Sequence, residues 1–202
     1  MITIIDYGVG NIQAFVNIYK KLNIPVQIAN TCDSLSRASK IILPGVGSFD
    51  SAMTKLEASG MGPTLNFLVL EKKCPVLGVC VGMQMMAKSS EEGSMPGLGW
   101  FEASVKSFYN TRSNSNIQLP HMGWNDVIVS ESKIFSGIHN PLFYFLHSYY
   151  FYSADQSNTI GWTDYGGLFV SAVSCNNIYG VQFHPEKSHS NGIQLLKNFA
   201  RI

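Results

Sequence analysis

Along the first half of the chain, short apolar runs alternate with stretches in helical register. Residues 2–5 (ITII), 25–29, 40–43 and 75–79 (PVLGV) are runs of four or five largely apolar residues, too short for helices. Such runs read as strands, and the apolar run at 75–79, bounded by Pro and Gly, suits a central strand covered on both faces. Between them, Ile12, Phe15, Val16 and Tyr19 fall at helical spacing within 11–22, and 49–57 and 63–71 also read as helices. Strand–helix alternation predicts a parallel sheet with helices on both faces.

The second half changes character. From 98 to 180 the chain is rich in aromatic, β-branched and turn residues, and strands are predicted at 101–108, 126–130, 143–146, 160–163, 169–174 and 179–183. These are expected to enter the same sheet as antiparallel additions, which makes the fold α/β with a mixed, mostly parallel central sheet. Residues 192–200 close the chain as a helix, and the polar stretch 107–118 (SFYNTRSNSNIQ) reads as a mobile surface turn between strands. Neither repeats nor linkers interrupt the pattern, and 202 residues fit one domain, 1–202.

Charge narrows the function. Lys+Arg 14 against Asp+Glu 13 leaves a net charge of +1, so there is no basic excess to neutralise phosphates and nucleic acid is not an expected partner. No apolar run approaches the ~20 residues of a membrane span, and no basic leader opens the chain, so a cytoplasmic protein is expected. Charged residues are only 13% of the chain, against a usual share of about 25%, which fits a surface partly covered by a partner. Cys32, Cys74, Cys80 and Cys175 form no Cys-x-x-Cys pair and no zinc pattern, so no metal is expected. Cys32, Cys74 and Cys175 read as small buried hydrophobes.

Cys80 is different. Gly78-Val79-Cys80-Val81-Gly82 follows the 75–79 strand directly, and a helical pattern begins at once with Met83, Gln84, Met85 and Met86. Strand, tight turn and helix make a nucleophile elbow, with Cys where hydrolases carry Ser. Flanking glycines let the backbone pass without a Cβ clash. A helix N-terminus aimed at the sulfur would favour the thiolate, and the Val81 N–H is placed to donate to an oxyanion. An ordinary turn with a buried thiol is the alternative reading of the same residues.

A base is available at His184-Pro185-Glu186, after the 179–183 strand. Proline holds that step extended, so imidazole and carboxylate can project to one side, the carboxylate fixing the tautomer. Cys80, His184 and Glu186 thus supply nucleophile, base and orienter. Leu43-Pro44-Gly45-Val46-Gly47 follows the third strand, and its glycines permit unusual or flipping peptides. Its N–H groups at Val46 and Gly47 are candidate second donors to an oxyanion.

These segments resemble the class I, triad-type glutamine amidotransferase family, whose fold is flavodoxin-like. Within it they look most like the glutaminase subunits of imidazole glycerol phosphate synthases, which serve histidine biosynthesis. The likeness spans nearly the whole chain. It is carried by Ile5-Asp6-Tyr7-Gly8-Val9-Gly10-Asn11, the 43–47 segment, the 78–84 segment, Pro120-His121-Met122-Gly123-Trp124-Asn125, His147-Ser148-Tyr149 and Gly180-Val181-Gln182-Phe183-His184-Pro185-Glu186-Lys187-Ser188.

The resemblance implies L-glutamine as substrate, no cofactor, and further roles position by position. Gly47 and Gln84 would hold the substrate, Glu92 would grip its α-amino group, and the backbone at Ser148 and Tyr149 would pin its α-carboxylate. Asn11, Trp124, Tyr144 and Lys187 would face a (β/α)8-barrel cyclase that receives the ammonia. Read without the family, Trp124 and Tyr144 are core aromatics, Asn11 is a helix N-cap, and Glu92 and Lys187 are solvated charges. Free ammonia would become non-nucleophilic ammonium in water, which is the chemical reason to expect a heterodimer. Three other readings stand beside this one. They are a paralogous glutaminase feeding nitrogen-bearing surface sugars such as those of lipopolysaccharide, a non-catalytic regulatory subunit, and a cysteine peptidase.

Overall fold

The computed structural model describes residues 1–111 and 117–202. Its strands are β1 (Ile2–Ile5), β2 (Val26–Ala29), β3 (Ile41–Gly45), β4 (Val76–Cys80), β5 (Ser89–Ser90), β6 (Ala103–Ser107), β7 (His121–Asp126), β8 (Ile128–Val129), β9 (Leu142–His147), β10 (Tyr149–Ser153), β11 (Thr159–Asp164), β12 (Leu168–Cys175) and β13 (Ile178–Val181). The large sheet runs β2-β1-β3-β4-β13-β12-β10-β6-β5, with β11 pairing β12 and β8. Pairing is parallel from β2 through β13 and between β5 and β6, and antiparallel elsewhere in this sheet.

The helices are α1 (Ile12–Lys21), α2 (Cys32–Ser36), α3 (Phe49–Ala58), α4 (Gly62–Asn66), α5 (Val81–Gln84), α6 (Phe108–Thr111) and α7 (His189–Arg201). A π-helical turn, Phe67–Glu71, continues α4, so the helix expected over 63–71 is present with a widened end. In α1, Phe15, Val16 and Tyr19 are buried and Lys20 and Lys21 occupy the last turn, where cations suit the negative end of the helix dipole. The Tyr19 hydroxyl donates to the carbonyl of Leu196 at 3.2 Å, which ties α1 to α7. Every residue of β1, β3 and β4 is buried, as their largely apolar runs predict.

Several expectations need correction. The 143–146 strand does not join the large sheet: β9 pairs with β7 in a separate antiparallel ribbon, with His121 opposite His147 and Trp124 opposite Tyr144. The 126–130 strand is divided, since β7 ends at Asp126, Val127 turns inward and β8 pairs β11. β10 was not predicted: the expected strand stopped at 146, and the aromatic run beyond Ser148 forms a second strand that joins the large sheet between β12 and β6. Cys32 is exposed and Cys175 half-buried where both were expected to be buried, and the Cys32 thiol donates to the Gly60 carbonyl at 3.3 Å. The expected surface turn begins with the one-turn α6, whose Phe108 is fully buried, and its 112–116 portion lies outside the described residues.

Candidate active site

Cys80 ends β4 with φ +55° and ψ −114°, a left-handed-side conformation that L residues rarely hold. The strain is sustained by close packing of the turn on β3. A Cβ on Gly82 would stand 2.0 Å from the Leu43 carbonyl oxygen, and one on Gly45 would stand 2.3 Å from the Gly82 nitrogen. Only glycine fits at either place. The helix that follows is one turn long, not the longer helix that Met83–Met86 suggested. The chain leaves it because the Met85 carbonyl accepts from Leu98 and the Met86 carbonyl from Phe101. Four residues align few peptide dipoles, so activation of the sulfur rests on its side-chain neighbours more than on the helix. Val81 still takes the first helical position, where an N–H has no intrahelical acceptor.

The principal neighbour is His184. Parallel pairing of β4 with β13 sets Val79 beside Val181, so the chain ends carrying Cys80 and His184 emerge together. The His184 backbone is clamped to β9: its N–H donates to the Tyr144 carbonyl at 2.8 Å, and its own carbonyl accepts from the Ser188 hydroxyl at 2.6 Å. Nδ1 of His184 lies 2.8 Å from Oε1 of Glu186, whose side chain is 2% exposed. That contact turns the other ring nitrogen to Cys80. Burial by itself lowers the basicity of His184, but hydrogen bonds and charge from Cys80 and Glu186 outweigh it and push the imidazole up to about 10. The site therefore favours an imidazolium facing the sulfur. Oε2 of Glu186 is buried with no partner among the described residues, so this carboxylate is committed to the imidazole.

A cavity of about 310 Å³ opens over these groups, lined by Val46, Gly47, Cys80, Val81, Gln84, Glu92, Pro120, Leu146, His147, Ser148, Tyr149, His184 and Lys187. Nearly all the residues expected to catalyse or bind substrate thus share one wall. A wider, open groove of about 980 Å³ around Ser132, Lys133 and Arg201 is lined by neither Cys nor His.

Glu92 is held by its Oε2, which accepts from the Phe49 N–H at 2.8 Å at the start of α3. Burial pushes its carboxyl up, the Phe49 bond pulls it down, and nearby Asp50 pushes it up again, with a net rise. Asp50 fastens the same loop by accepting from the N–H groups of Ser94 and Met95 at 2.9 and 3.0 Å. The Tyr7 hydroxyl donates to the Pro44 carbonyl at 2.7 Å and steadies the near end of the 44–47 loop. Beyond it, Gly47 has φ +88° with no atom within 4 Å of where a Cβ would stand, and Val46 is 41% exposed.

Sequence reasoning gave no role to Asp50, His121, His147 or Gln182. His121, His147 and Gln182 stood inside segments already singled out, which is the signal that was available.

Residues 3–202 match the family described as Glutamine amidotransferase class-I. The chain is 53% identical to the imidazole glycerol phosphate synthase subunit HisH of Leptospira interrogans and 54% identical to that of Bdellovibrio bacteriovorus, in each case over 100% of both chains. It is 46% identical to the subunit named HisH 2 of Methanococcus maripaludis, over 100% of this chain and 99% of the relative.

The chain belongs to the class I glutamine amidotransferases.

The amidotransferase fold is shared more widely. A solved glutamine amidotransferase superposes with a TM-score of 0.75 at 18% identity, covering 99% of each chain. PurLQS from Thermotoga maritima superposes at 0.74 and 15% identity, covering 99% of this chain and 97% of that one.

At the rim of this amidotransferase's cavity the aromatic residues are not core. Trp124 is 44% exposed, stacks on His189 with ring centroids 5.0 Å apart, and meets half-buried Tyr144 edge-on at 6.1 Å. The Lys187 ammonium stands 5.7 Å over the Tyr144 ring. Asn11 is exposed and stands at the N-cap position of α1, where its carbonyl accepts from the Ala14 N–H at 3.1 Å but its side chain makes no capping bond. Among the described residues no helix is long and apolar enough to cross a membrane.

Proposed function

We propose that this enzyme is the glutaminase subunit of an imidazole glycerol phosphate synthase, acting in the cytoplasm as one domain beside a cyclase subunit. The observation that carries the reading is the Cys80–His184–Glu186 constellation, with the sulfur at a strained elbow and Glu92, Gln84 and the Ser148–Tyr149 backbone around the same cavity. Full-length relatives named for that synthase support the pathway.

In this reading the Cys80 thiolate adds to the side-chain amide carbon of glutamine. The N–H of Val81 and a peptide N–H of Val46 or Gly47 receive the developing oxyanion. The C–N bond breaks as the His184 imidazolium gives its proton to the leaving nitrogen, releasing ammonia and leaving a γ-glutamyl thioester. Water then adds to the thioester carbon and gives a proton to His184. The C–S bond breaks, the thiolate is restored, and glutamate leaves. Glu186 fixes the ring throughout. Glu92 takes the substrate's α-ammonium, the Ser148–Tyr149 backbone its α-carboxylate, and Gln84 and Gly47 its side chain.

Ammonia must reach its acceptor before it is protonated. The Trp124–Tyr144–Lys187 cluster beside the cavity, with Asn11, supports docking of a (β/α)8-barrel cyclase on that side. There the ammonia would convert a phosphoribulosyl formimino precursor into imidazole glycerol phosphate and an aminoimidazole carboxamide ribonucleotide. The test is glutamate release and imidazole glycerol phosphate formation by the chain mixed with a cyclase subunit from its own source. Glutamine-dependent synthesis is the expected result. Glutamate release without synthesis, restored by a sugar-aminating partner, would move the enzyme to the surface-sugar pathway.

A further inference from the structure

His121 and His147 face each other across the β7–β9 ribbon, 3% and 6% exposed, and their hydrogen bonds admit only one proton arrangement. Nδ1 of His147 lies 2.8 Å from the Tyr149 carbonyl oxygen. A carbonyl can only accept, so His147 carries its proton on Nδ1. Nε2 of His147 lies 3.0 Å from Nδ1 of His121, and the far nitrogen of His121 lies 3.2 Å from the Nδ2 amide of Asn125. The orientation of that amide is set independently: Nδ2 also donates to the Asp164 carbonyl at 3.0 Å, and Oδ1 accepts from the Asp126 N–H at 2.8 Å. Asn125 therefore donates at one end of the chain and Tyr149 accepts at the other. Only two neutral imidazoles, each protonated on Nδ1, satisfy every link. An imidazolium at either position would set two donors against each other.

The chain does not end at Tyr149. Its carbonyl accepts a second bond, from Nε2 of Gln84 at 3.0 Å, and the same nitrogen of Gln84 donates to Oε1 of Gln182 at 3.1 Å. That leaves the Gln182 amide nitrogen facing Cys80 Sγ at 3.7 Å. The donors of Gln84 are thus spent inside the protein, and its oxygen is left for other partners.

We propose that His121 and His147 are positioning residues for glutamine: as a neutral, directed pair they hold the one-residue turn at Ser148 and, through the Tyr149 carbonyl, set the Ser148–Tyr149 peptide and the Gln84 amide that receive the substrate. The role rests on the glutaminase reading of the cavity. Packing alone does not account for the pair. His121 is sandwiched between Phe145 and Tyr165, with centroids 4.7 and 3.9 Å away and both rings near parallel, a stacking that any flat aromatic ring could make and that does not call for ring nitrogens. Burial also holds His147 down at about 3 and His121 at about 4, so both are neutral wherever the enzyme works.

Two substitutions at His121 separate positioning from packing. His121→Phe keeps the aromatic sandwich and deletes the donor to His147. His121→Asn deletes the sandwich and keeps an N–H near the Nδ1 position. In the assembled synthase, His121→Phe is expected to raise KM for glutamine about tenfold while kcat falls less than threefold, the pattern of lost ground-state binding. His121→Asn is expected to keep KM near the wild-type value although it melts at a lower temperature. A wild-type KM in His121→Phe, or equal KM rises in both variants, overturns the proposal. A second measurement needs no variant: side-chain ¹⁵N shifts of the full wild-type chain at pH 7. Both histidines are expected neutral with the proton on Nδ1, and an Nε2-protonated or doubly protonated ring at either position overturns the directed pair. Wild-type enzyme that released no glutamate would refute the proposed function instead, while the tautomers would still be read.

Discussion

Val79 and Val181 are register partners in the neighbouring parallel strands β4 and β13, so Cys80, one residue beyond the first, and His184, three residues beyond the second, leave the sheet on the same side. Sites of open α/β sheets lie at such carboxyl ends, because the strands stop there and the loops diverge. The pairing places nucleophile beside base although 104 positions separate them in the chain.

Cys80→Ala should abolish glutamine hydrolysis, with a loss of at least ~10³-fold, while the chain still folds and still docks on its cyclase. Alanine removes the sulfur and leaves the turn packed on β3. Ammonia supplied directly should still support synthesis. Glutamate release at the wild-type rate would remove Cys80 from the mechanism.

His184→Ala should approach the Cys80→Ala loss, and Glu186→Ala should cost less. The imidazole moves protons in both halves of the reaction, whereas the Glu186 carboxylate, among the described residues, bonds Nδ1 of His184 alone and supplies orientation and charge. Single-turnover kinetics on the two variants give the order, and a larger loss in Glu186→Ala would contradict it.

Glu92→Gln should raise KM for glutamine by roughly 10–100-fold, the worth of a charge-assisted bond to the substrate ammonium, with little change in kcat. The amide oxygen can still accept from Phe49, so the loop should remain in place. Initial rates across a glutamine series provide the check.

Turnover by the free chain should be lower than by the complex with acceptor bound, by about 10²–10³-fold, the usual effect of one missing oxyanion donor. The 46–47 peptide has room to flip: Gly47 already holds φ +88° in open space. A partner can favour one loop state only through unequal affinity for the two. Glutamate release should therefore be compared for the free chain, the complex, and the complex with an acceptor analogue. Equal rates in all three would exclude gating.

Acid should destabilise the fold between about pH 6.5 and 4. His121 and His147 are neutral when folded and take up protons near 6.5 when unfolded, so the unfolded state binds more protons in that window and stability rises with pH. Each contributes up to about 1.4 kcal/mol per pH unit. Denaturant melts at pH 4.5, 5.5 and 6.5 should show a shallower slope in His121→Phe than in wild type. Identical slopes would mean that His121 is not buried in its neutral form.

The parallel core was legible in the sequence because strands covered on both faces are apolar at nearly every position, and β1, β3 and β4 are written that way with Thr3 as the polar exception. The elbow at Cys80 was legible for a local reason also: a sharp turn needs glycines beside it in the chain. His184 and Glu186 could be paired with each other because only Pro185 separates them, although the step expected to be extended is a 3-10 turn, Pro185–Lys187, that brings the carboxylate to Nδ1 by curling the chain. What sequence could not decide is whatever depends on residues far apart in the chain. The longer helix after Cys80 was overruled by backbone bonds from Leu98 and Phe101. The 143–146 strand left the large sheet for a ribbon with β7, since apolar alternation says which face is buried and not which strand lies beside it. His121 and His147 carried no periodic signal. Only their opposition across that ribbon, with Asn125 fixed at one end and the Tyr149 carbonyl at the other, sets where their protons sit, because the direction of a hydrogen bond belongs to the pair of groups that share it.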